Sequence, residues 1–368
     1  VFKLPWFIKK IPVNERPKYI YDRLYRCGAK YYATDYSSFE ALFTNDIMSA
    51  VEFQLYEYMT QNLPNSDSFM KDVREVLGGE NVCKFKHYTL KVPATRMSGE
   101  MCTSLGNGFS NLMFVAFLCH ERGISWEGFV EGDDGLFRFD GEGPKTEDFK
   151  KLGLTIKMEE HLSLESASFC GNVFDCEDLV VVTDPREVLA SVGWTSSQYV
   201  KANKSTLLTL LRAKAWSYGY QYQACPVVSA MARAYLRLTR SFSLDKVLER
   251  RGFLSLWERD QLRDAMDAGR PALNRPPPYR TRVLVENLYG ISIDTQLAYE
   301  KYFDNLEVLE PIPDLGLVVH PSWTDYHRKY VFNADINDPL LEFPSLSYSR
   351  LAIRWPFSVA RRSEGARN

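Results

Sequence analysis

Paired cysteines, clustered histidines and long apolar runs are all missing from this chain. Its five histidines form no ligand cluster, and its seven cysteines are scattered without CxxC spacing. That pattern argues against a disulfide framework and a zinc site, and it fits a reducing compartment. Cys102, Cys119 and Cys170 stand among apolar neighbours and are expected to be small buried residues. The longest apolar run, Leu112 to Cys119, is far too short to cross a bilayer. No signal-peptide pattern is visible, so any membrane association is expected to come from parts outside this sequence. Internal repeats are absent too. What the chain does have is apolar content of 45%, enough for large cores in one large or two medium domains.

Three short stretches then stand out, in one order. Ala33-Thr34-Asp35-Tyr36-Ser37-Ser38-Phe39-Glu40 comes first, and Ser98-Gly99-Glu100-Met101-Cys102-Thr103-Ser104-Leu105-Gly106-Asn107 second. Glu131-Gly132-Asp133-Asp134-Gly135 is the third. The tripeptide Gly132-Asp133-Asp134 alone is weak, since average composition produces it in on the order of a few per cent of chains this long. Asp134-Gly135 between apolar runs also reads as an ordinary type I′ hairpin turn. A turn needs only one Asp, however, and two adjacent carboxylates repel each other. A cation beside them removes that repulsion. Tyr31, Tyr32, Ala33 and Thr34 form a β-prone run that places Asp35 at a strand end, where catalytic side chains commonly project. An acid from that strand and an acidic pair at a later turn supply the hard oxygen ligands that Mg²⁺ prefers.

Thr44 is expected to cap a helix whose apolar face holds Ile47, Val51, Leu55, Tyr58 and Met59. A second helix is expected from about Glu100 to Arg122, closed by Gly123. On it Thr103, Asn107 and Asn111 are spaced by four and share one polar face. Phe109, Leu112, Met113, Ala116 and Phe117 are expected on the opposite, buried side. Gly106 and Gly108 each cost about 1 kcal/mol in a helix relative to Ala, which points to a close approach by another backbone or a ligand.

These residues resemble the motifs of viral RNA-dependent RNA polymerases. Asp35 with Glu40 is similar to motif A, Ser98-Gly99 with Thr103 and Asn107 to motif B, and Gly132-Asp133-Asp134 to motif C. Leu152-Gly153-Leu154-Thr155-Ile156-Lys157 resembles motif D, and Ser168-Phe169-Cys170-Gly171 motif E. The style is closest to tombusvirus-like and nodavirus-like positive-strand RNA viruses, over about residues 10 to 195. The resemblance implies an α/β (α+β) right-hand fold: an antiparallel palm sheet with packed helices over 31–195, then a mostly helical thumb and C-terminal extension over 196–368. Residues 1–30 would be a remnant of the fingers or palm entry.

The same resemblance assigns roles. Asp35 and Asp133, with Asp134 assisting, would hold two Mg²⁺ ions, or Mn²⁺ in their place. Ser98, Gly99, Thr103, Asn107 and Glu40 would bind the nucleotide and read its ribose 2′-hydroxyl. Lys157 would protonate the leaving pyrophosphate. Phe169, Cys170 and Gly171 would touch RNA. Glu40 departs from the Asp most often found at its position and reaches one methylene further. Only 34 residues precede Asp35, so most of the fingers are expected to lie outside this sequence and the isolated chain is expected to be inactive.

Net charge is only −2, yet residues 200–282 carry 16 Lys/Arg against 6 Asp/Glu. Arg233, Arg237 and Arg240 fall at helical spacing within 226–240, as a stripe tracking duplex RNA would. The Pro-rich stretch near 270–280 is expected to be a stiff connector. Beyond it, Trp323, Tyr326 and Trp355 show no legible role, and Arg361 to Asn368 read as a frayed end. The expected partners are RNA template and nascent strand, ribonucleoside triphosphates and other replicase segments. The expected location is a membrane-associated replication complex in host cytoplasm. Two alternatives stay open: a reverse transcriptase, and a palm that binds RNA without catalysis.

Overall fold

In the computed structural model the described residues are 1, 3–97, 100, 102–195, 199, 202–249, 256–267, 274–317 and 323. The chain divides into two compact units, Val1–Phe174 and Asp175–Asn368. The first contains, in order, α1 (Arg16–Leu24), β1 (Tyr31–Tyr36), α2 (Asn45–Ile47), α3 (Phe53–Thr60), α4 (Ser66–Gly78), β2 (Glu80–Lys84) and β3 (Thr89–Pro93). It continues with α5 (Thr103–Arg122), β4 (Ser125–Glu131), β5 (Asp134–Asp140), α6 (Thr146–Lys151) and β6 (Ile156–His161).

Four strands form one antiparallel sheet in the order β4-β5-β1-β6. Alternation decides what each face carries. Trp126 and Val130 of β4, Phe137 and Phe139 of β5, and Tyr36 of β1 point into a core shared with Leu112, Val115, Leu118 and Cys119 of α5. The interleaved set, including Phe129 and Asp35, points the other way. There α1 lays Tyr19 against Phe129, with ring centroids 5.4 Å apart. Trp6 and Phe7 bind the outer edge of β4, since the Val130 amide donates to the Trp6 carbonyl at 2.8 Å. That cover protects an otherwise open strand edge.

Thr44 caps α2 as expected, its hydroxyl accepting from the Ile47 amide at 3.2 Å. The face that follows differs from expectation. Met48–Glu52 is a π-helical segment between α2 and α3. A π turn holds more residues than an α turn, so everything after it is rotated relative to a 3.6-residue reading. Tyr58 and Met59 therefore lie exposed, while Phe53 and Glu52 are buried.

Helix α5 starts at Thr103 rather than Glu100 and ends on Gly123, whose φ of +63° provides the left-handed stop. Its polar stripe is not wet: Asn107 and Asn111 are buried, and Phe117 on the supposed core side is exposed. The helix glycines are explained by their neighbours. Gly108 faces the Phe7 ring, 3.1 Å from where a Cβ would stand, with the Gly132 backbone nitrogen at 3.5 Å. Gly106 faces the buried pair Glu52–Arg96, and a methyl group there would collide with both side chains. Gly106→Ala is thus expected to lower the melting temperature, although helix propensity alone favours Ala by about 1 kcal/mol. A raised melting temperature would show that the pair can move aside.

Among the described residues no disulfide forms, and no helix is long and apolar enough to cross a membrane. Cys119 is buried, whereas Cys102 and Cys170 are only half-buried, contrary to expectation.

Next along the chain, β7 (Val173–Asp175) and β8 (Val180–Val182) form a two-stranded ribbon. Helices then dominate: α7 (Pro185–Val192), α8 (Lys204–Gln221), α9 (Val228–Leu238), α10 (Asp245–Glu249), α11 (Leu256–Asp267), α12 (Tyr279–Tyr289) and α13 (Ile293–Asn305). Buried polar groups tie them together. Asp175 accepts from the Thr281 hydroxyl at 2.7 Å, and Arg282 grips Glu300 through two bonds of 2.9 and 2.8 Å. Part of the Pro-rich stretch, Arg270 to Leu273, lies outside the described residues, as do Tyr326, Trp355 and the C-terminal end.

Candidate active site

The register of the sheet brings the acidic residues together. β1 pairs with β5 up to Thr34 opposite Gly135, so the next residues along, Asp35 and Asp134, end the same pair of strands. On the other side Asp35 is paired directly with Lys157 of β6. Directly paired residues share a face, so Asp35 and Lys157 project to the side opposite α5. Gly135 has no room for a side chain, because a Cβ would collide with Thr34 and the Phe137 ring.

The turn between β4 and β5 consists of Gly132 and Asp133, closed by the pair Glu131 and Asp134. This corrects the expected Asp134-Gly135 turn by two positions. Gly132 has φ of +63°, as the first central residue of a II′ hairpin requires, and Asp133 occupies the tip. Asp134 already belongs to β5.

These carboxylates repel one another. Burial pushes the Asp133 carboxyl above its ordinary value, and Asp35 and Glu40 push it further against a bond from its own backbone amide. Asp134 is pushed up to about 6, first by burial and then by the charges of Asp133 and Asp35, while the Cys170 thiol pulls it back in part. The folded protein holds the Asp134 proton more tightly than the unfolded chain does. This group therefore loses stability for the fold as pH rises from about 4 to about 6. Without divalent ions, the melting temperature of Asp134→Asn is expected to gain on the parent across that range and then run parallel to it. A gap that stays constant from pH 4 to pH 7 would show that Asp134 has an ordinary carboxyl. Among the described residues, no three His, Cys, Asp or Glu are drawn into a ready-made ligand cage.

Helix α5 holds the turn from behind. The Asn111 side-chain amide donates to the carbonyls of Gly132, Asp133 and Asp134 at 3.3, 3.0 and 3.0 Å. One turn earlier, Asn107 donates to Glu40 Oε1 at 3.3 Å, joining the second stretch to the first. Thr103 donates its hydroxyl to the Glu100 carbonyl at 2.9 Å, in the turn that opens the helix.

The matching family model describes viral RNA-dependent RNA polymerases and spans residues 12–233, well over half the chain. The chain belongs to that family. Among solved structures, it is similar to an insertion-loop deletion mutant of the RNA-dependent RNA polymerase of a human picobirnavirus, with 13% identity and a TM-score of 0.47. That match covers 72% of this chain and 50% of the other, so the chain spans about half the length of that polymerase. No curated protein matches it.

The stretches likened to motifs A, B and C meet in the first unit through Asp35, Glu40, Asn107 and the Gly132-Asp133-Asp134 turn. Ser98 and Gly99 of motif B lie outside the described residues. Motif D places Lys157 on β6, exposed and beside Asp35. Motif E forms a tight turn, with Cys170 and Gly171 at φ of +53° and +70° between paired Phe169 and Asn172. Phe169 is buried, so its ring offers no face to RNA, and Cys170 instead approaches Glu131 and Asp134.

In the second unit, two of the three stripe arginines serve their own chain. Arg233 pairs with Asp304 at 2.6 Å, and Arg237 donates to the carbonyls of Phe303, Asp304 and Leu306 at the end of α13. Arg240, beyond the end of α9, is exposed. Asn111 is the residue that sequence reasoning put on a stripe without a task. Its spacing from Asn107 was the available signal.

Proposed function

We propose that this chain is the catalytic part of a viral RNA-dependent RNA polymerase, which adds ribonucleotides to an RNA 3′ end as an RNA template directs. The observation that carries the reading is the shared register of Asp35 with Asp134, beside the Asp133 turn, on one sheet face of a member of this family. The donor set suits a hard divalent cation: it is all carboxylate, and besides burial the charge of Asp35 pushes up both Asp133 and Asp134, as in a site short of positive charge. Asp35, Asp133 and Asp134 would hold two Mg²⁺, or Mn²⁺, which when bound activate the 3′-hydroxyl and neutralise the triphosphate and pyrophosphate. Glu40 and Asn107, with Ser98, Gly99 and Thr103, orient the ribose through its hydroxyls. Lys157, beside Asp35, donates a proton to the leaving group.

The palm is proposed to extend over 31–195 and the thumb over 196–368, although the first compact unit ends at Phe174. Template and nascent RNA are the proposed macromolecular ligands, with Cys170, Gly171 and Arg240 as the exposed or half-exposed candidates for contact. Other replicase segments at a membrane-associated complex in host cytoplasm are the proposed setting.

The test is templated extension of an RNA by the polymerase that carries this chain, with ribonucleotides against deoxyribonucleotides and with Mg²⁺ against a chelator. Preferred ribonucleotide incorporation that stops on chelation is expected. Preferred deoxyribonucleotide incorporation would favour a reverse transcriptase. RNA binding without any incorporation would favour a structural replicase component.

A further inference from the structure

Arg96 stands two residues before Ser98 and is almost wholly buried, at 2% exposure. Its guanidinium pairs with Glu52, which is itself fully buried on the π-helical segment. The Tyr56 hydroxyl donates to the same carboxylate, and the Phe43 ring lies 4.4 Å from the guanidinium carbon. Arg96 Nε and Nη1 find no hydrogen-bond partner. Burial disfavours the charged guanidinium, while Cys102, then Glu100 and last Glu40 favour it.

Three pieces of the chain therefore meet on one ion pair: the π segment, the approach to motif B, and the first turns of α5. The third contact is the bare backbone of Gly106, whose missing side chain leaves space for both charged groups. Asn107 follows it directly and donates to Glu40.

An ion pair this deeply buried contributes little net stability, because desolvation offsets the attraction, and an apolar pair of similar volume often serves as well. Two N–H groups without partners make it poorer still. Stability does not account for its form, and its position suggests what does. A glycine moulded to the pair settles where Asn107 sits, and Asn107 in turn holds Glu40 by its 3.3 Å hydrogen bond.

We infer that Arg96 and Glu52 are positioning residues that set Glu40 and Asn107 for recognition of the nucleotide ribose. This rests on the reading of Glu40 and Asn107 given under the proposed function. Neither Arg96 nor Glu52 touches the nucleotide in this account. They act through the two residues that do.

The experiment compares kcat/KM for a ribonucleotide and its deoxy counterpart in the polymerase that carries this chain. Glu52→Leu/Arg96→Met replaces the pair by apolar side chains of similar size. It is expected to melt within a few degrees of the parent while discrimination against the deoxynucleotide falls at least tenfold. Arg96→Lys keeps the charge and loses the planar fork. It is expected to lower discrimination at least threefold, and it carries the test if the double variant does not fold. Asn107→Ala is the reference. If Asn107→Ala loses discrimination and the folded Arg96 variants keep it, the inference is overturned and the ribose reading stands. If Asn107→Ala also keeps it, the ribose reading falls and takes the inference with it.

Discussion

Asp133→Asn is expected to lower RNA synthesis at least a thousandfold while raising the melting temperature of the metal-free protein. The two effects have opposite signs because the same charge serves one purpose and harms another. Asp133 stands at the tip of a two-residue turn, among Asp35, Glu40 and Asp134. With no cation present its charge only adds repulsion, and a neutral amide of the same shape removes it. Under the proposed function, that charge would help hold the divalent ions. A thousandfold loss corresponds to about 4 kcal/mol of transition-state stabilisation. Single-nucleotide extension rates and melting in chelator measure the two effects on one preparation. Near-parent synthesis would remove Asp133 from the mechanism. A lowered melting temperature would make the turn dependent on Asp133 for its shape.

Much of the geometry of the candidate site was legible before any coordinates, and the reasons are local. The β-prone run ending at Asp35, the two apolar runs around Gly132-Asp133-Asp134 and the Gly123 stop of α5 all follow from short-range chemistry. Strand alternation and helix termini depend on residues a few positions away, so the sequence states them openly. Their order along the chain then matched one family, and the family model agrees.

What escaped depends on partners distant in sequence. The π segment Met48–Glu52 shifts the phase of a helix, and no periodicity count that assumes 3.6 residues per turn can follow it. Asn107 and Asn111 look like a solvated stripe until Glu40 and the aspartate turn are seen to stand opposite them. The arginine stripe of α9 looks like an RNA track until Asp304 and the α13 carbonyls occupy it. In each case a polar residue was assigned to water or ligand because its protein partner lay 21 or more positions away in the chain. Lone glycines inside a helix pointed the right way, since Gly106 and Gly108 do mark close approaches.

Asn111→Leu is expected to reduce RNA synthesis on the order of a hundredfold, with a drop in melting temperature of several degrees. Asn111 is wholly buried, and its amide shares two N–H groups among three successive carbonyls of the aspartate turn. Leucine keeps the branched shape and removes the donor, leaving acceptors that lose about 1–3 kcal/mol of stabilisation when unsatisfied. The turn then has no anchor on α5, and the carboxylates it carries are no longer held in one place. Loss of placement lowers turnover even where all reacting groups remain, because small displacements of a catalytic group carry large rate penalties. Asn111→Asp sharpens the point. It keeps the shape and sets a carboxylate against the same three carbonyls, so both activity and melting temperature should fall below those of Asn111→Leu. The ranking parent, Leu, Asp in both measurements is the signature of a donor that fixes the turn. Equal losses in the two variants would reduce Asn111 to a space-filling residue, and a parent-like Asn111→Asp would mean that α5 does not hold the aspartates at all.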